Sequence, residues 1–72
     1  MMYRVDITTG DEFLPAATAA PPFGPGFSAE IAVQADTLEM WGSSLTDPGD
    51  DFVEYRLLKE GQVVQTKRFA GY

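Results

Sequence analysis

The 72-residue chain contains no histidine and no cysteine. Their absence removes the side chains that most often supply a general base at neutral pH, a thiolate nucleophile and the ligands of zinc. It also removes disulfides and ordinary structural zinc as supports for a domain this small, so packing or self-association has to supply the stability. Hydroxyls are present at Ser28, Ser43, Ser44 and Tyr55, but no imidazole is available to activate them. The lysines Lys59 and Lys67 fall in a hairpin expected to be exposed, and neither is a credible nucleophile. The sequence points away from catalysis, and no cofactor and no metal is expected.

Basic residues are scarce as well. Five Lys and Arg stand against eleven Asp and Glu, a formal charge of −6. Residues 1–55 hold one arginine and ten acids, a net −9, whereas residues 56–72 hold four basic residues and Glu60, a net +3. Nucleic-acid binding is normally driven by Lys and Arg displacing counterions from phosphate, so direct contact with DNA or RNA is not expected. Long hydrophobic runs are missing too: the most apolar stretch, Phe13 to Phe27, is broken by Pro and Gly and falls short of a bilayer span. The chain opens without the basic and apolar regions of a signal peptide. A cytoplasmic protein with no membrane contact is the expectation, and the opening Met1 suits a short complete gene product.

What is present reads as β structure. Tyr3, Val5 and Ile7 alternate with Arg4, Asp6 and Thr8, a period of two in β-branched and aromatic types that predicts a first strand. Residues 10–26 hold four of the five prolines and predict a long Pro/Gly/Ala-rich loop with room for one helical turn at Ala16 to Ala20. From Phe27 to Gln34 the period of two returns, and Leu38 to Trp41 continues it after the weak break Ala35-Asp36-Thr37, predicting two more strands. The stretch Gly42 to Asp51 carries the turn signal Asp47-Pro48-Gly49-Asp50. Phe52 to Lys59 and Gln62 to Phe69 flank Glu60-Gly61 and predict a terminal hairpin. A two-residue loop would oppose Leu57 to Val64 on the better core face and Glu54 to Lys67 on the other, where Arg56 and Gln65 beside that pair make a polar centre between apolar ends; a three-residue loop with Gly61 in the left-handed region would shift this register. The sum is a single all-β domain over residues 1–72, a five-stranded antiparallel barrel or a curved meander, with closure favoured because it removes exposed edges.

Few positions carry chemistry. Asp47, Asp50, Asp51 and Glu54 form the densest acidic cluster, the type of oxygen set a hard cation wants. Their spacing does not match the twelve-residue calcium loop, and Asp is common at turn corners for local hydrogen bonds, so a solvated turn is the expected role. Trp41, the sole tryptophan, falls with Glu39 on the strand face opposite Leu38 and Met40, which suits either a partner-binding hot spot or a residue that caps the core. Phe23 sits in the Pro22-to-Pro25 segment, a connector that could dock a partner or fold over the sheet as a lid.

The expected function is therefore a non-enzymatic accessory protein that works by protein–protein interaction through an acidic and aromatic face. Trp41, Glu39, Phe23, Asp50 and Asp51 are the candidate contacts, and another protein with a basic surface is the expected partner. Two other classes remain open: an acidic inhibitor that mimics nucleic acid in a basic groove, and a self-associating structural subunit.

Overall fold

The computed structural model describes residues 2–43 and 52–70, with the backbone alone at residues 2–6, 43 and 70. Four strands are present in these segments: β1 (Met2–Thr9), β2 (Thr37–Ser43), β3 (Phe52–Lys59) and β4 (Gln62–Ala70). They form one antiparallel sheet in the order β1-β2-β3-β4, so every strand lies beside its sequence neighbour. The fold is mainly sheet, as the alternation predicts, but it is an open four-stranded sheet and not the closed five-stranded barrel that removal of edges would favour. β1 and β4 are edges.

The fifth strand is missing because Phe27 to Gln34 does not extend. Ser28 adopts an extended backbone and its hydroxyl accepts the N–H of Ile31 at 3.3 Å, capping a short helix α2 (Ala29–Ala32). The Phe27 N–H is donated to the Ala17 carbonyl at 3.0 Å, which removes it from any ladder. Earlier in the chain a 3-10 turn (Gly10–Glu12) leads into helix α1 (Phe13–Thr18). Pro15 is tolerated there because the N–H groups of a first helical turn have no partner within the helix. The segment between β1 and β2 is thus a folded layer and not a plain loop.

That layer explains why the sheet stays open. Phe13 and Ala17 of α1, Phe27, Ala32 of α2, Leu38 of β2 and Leu57 of β3 form the buried cluster, so the sheet packs against residues 13–32 and not against itself. The alanines let the short helices approach closely. Tyr55 meets Phe69 edge-on at 5.8 Å, extending the apolar surface along β3 and β4. No helix among the described residues is long and apolar enough to cross a membrane.

Gly24 shows how tight the layer is. A Cβ at this position would stand 2.6 Å from the Ala19 Cβ and 2.8 Å from the carbonyl oxygens of Ala16 and Ala19. Gly24→Ala is expected to lower stability by about 1–3 kcal/mol through overpacking, read as a lower urea midpoint with an unchanged slope.

The hairpin forms where expected, with a different register. Glu60 and Gly61 both have positive φ, 52° and 82°, which is the two-residue turn whose twist suits a hairpin. The ladder starts as a two-residue loop requires, with Lys59 opposite Gln62 and Leu58 opposite Val63, and then slips so that Leu57 faces Gln65 and Glu54 faces Arg68. Val64 is the extra residue of a bulge, and the expected Leu57–Val64 and Glu54–Lys67 pairs do not form. A second slip lies in β1 between Arg4 and Asp6, which ends the expected Tyr3-Val5-Ile7 stripe. Ile7 comes opposite Glu39 on the uncovered face and is 41% exposed.

Candidate functional site

Pairing assigns each residue to a face of the sheet, because directly opposed residues project to the same side. Leu38, Met40, Tyr55, Leu57, Lys67 and Phe69 share the side covered by the helical layer. Ile7, Glu39, Trp41, Glu54, Arg56, Thr66 and Arg68 share the uncovered side. There the register aligns two rows across the strands, Trp41–Glu54–Arg68 and Glu39–Arg56–Thr66.

These rows hold a continuous network. The Trp41 indole Nε1 donates to Glu39 Oε1 at 2.9 Å, and the Arg56 guanidinium lies over the Trp41 ring, 4.7 Å from its centroid. Arg56 Nε also donates to Glu54 Oε2. Arg68 donates from Nε and from a terminal nitrogen to Glu54 Oε1 at 3.2 and 2.9 Å, and stacks over the Phe52 ring at 4.2 Å. Glu54, on a face with no helix above it among the described residues, is only 6% exposed because the two arginines and their rings cover it. Burial alone would raise its pKa, but the hydrogen bonds from Arg68 and Arg56 outweigh that and hold its carboxyl below the usual value.

Of the residues singled out from sequence, Trp41 and Glu39 are brought together in this network. Trp41 is half-buried and is not part of the core cluster, so it does not serve as a cap on the core. Phe23 lies elsewhere, 91% exposed, in the Pro-rich segment over the covered face. It borders an open cavity of about 330 Å³ between Pro22, Pro25, Met40 and Tyr55. It therefore neither joins Trp41 nor closes over the sheet. Asp47, Asp50 and Asp51, and the turn expected of them, lie outside the described residues. Glu54, their expected neighbour in an oxygen set, is engaged by two guanidiniums. Among the described residues no group of three or more His, Cys, Asp or Glu is placed to hold a metal ion.

Arg56, Arg68 and Phe52 complete the network and were not among the candidates. The sequence carried part of the signal, since Glu54 and Arg56 stand in the expected polar centre of the hairpin. Arg68 enters only through the Val64 bulge, which moves it from beside Val53 to beside Glu54.

Lys67 is displaced by the same slip. It turns to the covered face, where its ammonium donates to the carbonyls of Pro25 at 3.3 Å and Gly26 at 3.2 Å and lies 5.3 Å from the Phe27 ring centroid. The expected exposed lysine instead ties β4 to the Pro-rich segment. Lys59 is exposed, 4.0 Å from Asp36. Asp36 accepts the Thr37 hydroxyl and the Glu60 N–H, bonds that lower its pKa and join the start of β2 to the hairpin turn.

Among the described residues the arrangement offers a surface of stacked arginine and aromatic groups with its charges internally paired. No family model matches the chain, and neither a curated protein nor a solved structure matches it.

Proposed function

We propose that this chain is a non-enzymatic accessory protein that acts by protein–protein contact through the uncovered face of its sheet. The observation that carries the reading is the Trp41–Arg56–Glu54–Arg68–Phe52 network. Tryptophan and arginine are the residues most enriched where binding energy concentrates. Here their side chains are already held by stacking and ion pairing, so little rotamer freedom is lost when a partner covers them.

The face differs from the acidic one expected. Its described carboxylates, Glu39 and Glu54, are matched by Arg56 and Arg68, so attraction to a basic partner would come from the −6 charge of the whole chain. Mimicry of nucleic acid needs a row of free carboxylates, and Glu54 is clasped by two guanidiniums; the geometry favours protein contact over mimicry.

Trp41→Ala is expected to leave the fold intact, because Trp41 lies outside the core, and to weaken capture of the bound protein by tenfold or more. A tagged pull-down with wild type and variant, alongside thermal melts of both, checks this. An unfolded variant, or undiminished capture by a folded one, overturns the assignment.

A further inference from the structure

We infer that the occupant of this face is a second copy of the same chain, an inference that rests on the protein-contact reading above. The argument begins with the order of charges. The rows Trp41–Glu54–Arg68 and Glu39–Arg56–Thr66 are adjacent on the uncovered side, and on β3 Glu54 and Arg56 are successive residues of that side. A two-fold axis lying between two such faces, running across the strands and midway between the rows, exchanges one row for the other. Arg56 of each copy then meets Glu54 of its partner, Trp41 meets Glu39, and Arg68 meets Thr66, each contact occurring twice. Such a self-complementary patch is what an isologous dimer requires. Aligned sheets pack about 30° apart, which preserves the match best on β3, the middle strand of the two rows, where the charged pair lies at the centre of the patch.

The cost of covering these charges is small. Glu54 is already 6% exposed and hydrogen-bonded to both arginines, so most of its desolvation has occurred within one chain. Like charges do not meet across the axis. The alternative route to self-association, edge pairing along β4, is blunted by the Val64 bulge and by Lys67, a charged residue turned inward from the edge. Val63 and Val64, though exposed, lie at that bulge, Val64 as its extra residue.

Size sets the strength. Four strands about 4.8 Å apart and about seven residues long present about 450 Å² in projection, so two faces bury about 900 Å² or somewhat more, the range of weak dimers. The dimer is therefore concentration-dependent. Salt provides a second signature. Two chains of charge −6 repel at long range while their contact faces are balanced, so added salt screens the repulsion and leaves the dimer unchanged or tighter. Binding to a basic partner would weaken with salt.

The test is sedimentation equilibrium on the untagged full chain from about 10 μM to about 1 mM, a span that brackets weak dissociation constants, at low and high salt. Wild type is expected to rise from the 7.9 kDa of one chain toward twice that mass, with no loss at high salt. Thr66 is exposed and outside the core, so its variants test the geometry without threatening the fold. Thr66→Glu, facing the partner's Arg68 across the axis, is expected to tighten association about threefold or more and Thr66→Arg to weaken it similarly, as charge complementarity dictates. Trp41→Ala is expected to abolish it. A mass fixed at one chain throughout overturns the inference, as does a dimer indifferent to all three substitutions or one that salt dissociates. Capture of a different protein in a Trp41-dependent way by a strictly monomeric chain would sink the second copy and leave the contact reading standing. Loss of both would sink both.

Discussion

Leu57→Ala is expected to remove about 2–5 kcal/mol of stability, enough to leave the domain largely unfolded at room temperature. Leu57 is fully buried, at 0% exposure, and belongs to the cluster that joins β3 and Leu38 of β2 to Phe13, Ala17, Phe27 and Ala32 of the helical layer. Alanine there takes away the lost transfer energy and leaves a cavity that neighbouring strands, held on both sides by ladder bonds, are poorly able to close. A domain of this size has only a few kcal/mol to lose. Urea denaturation followed by Trp41 fluorescence, with amide dispersion in NMR spectra, reads the outcome. A variant with the wild-type midpoint would mean that the helical layer does not form the core with the sheet.

The second large effect concerns Glu54. Glu54→Gln is expected to cost about 2 kcal/mol at pH 7, the scale of hydrogen bonds to charged groups, because both arginines lose the anion they share. The figure lies below that for a fully buried pair because Arg68 is half in solvent. Its pH dependence has a definite sign. The carboxyl is held below its ordinary value, near 4.5, so its stabilising contribution is present in full above that pH and is lost as pH falls through the depressed folded value. The gap between wild type and Glu54→Gln should therefore close in acid, while their difference at neutral pH persists. Asp36, also lowered, acts in the same direction in both proteins and does not affect the comparison. A gap that stays constant down to pH 2, about two and a half units below that ordinary value, would show that the network contributes through shape and not through charge. Urea midpoints across the pH range decide between them.

Both effects arise on β3, a central strand whose two faces have different roles. Leu57 and Tyr55 hold the helical layer, while Glu54 and Arg56 organise the surface proposed for partner contact. That division is why a change on the uncovered face can alter binding without emptying the core, as proposed for Trp41.

Local pattern alone was sufficient for much of this. The alternation in Met2 to Thr9 and in Phe52 to Lys59 marked β1 and β3, and Glu60-Gly61 marked the turn, because strand periodicity and turn chemistry depend on residues close in the chain. The placement of Trp41 and Glu39 opposite Leu38 and Met40 followed from the same period of two, and their indole-to-carboxylate bond agrees with it. The scarcity of basic residues and the lack of His and Cys bounded the chemistry without any fold.

Tertiary structure decided the rest. Ala29 to Ala32 is too short for periods of two and 3.6 to differ, so the Ser28 cap and the packing of Ala32 against the core made it helical. Whether the sheet closed or stayed open depended on what covered its inner face, and residues 13–32 took that place. The Val64 bulge is invisible to alternation within one strand, since register is a relation between strands. A slip of one residue exchanges the faces of all that follows, and here it sent Lys67 to the Pro-rich segment and brought Arg68 to Glu54. Residue types and strand periodicity were thus determined by the sequence itself; the charge pairing that builds the contact face required the register, which only the folded sheet sets.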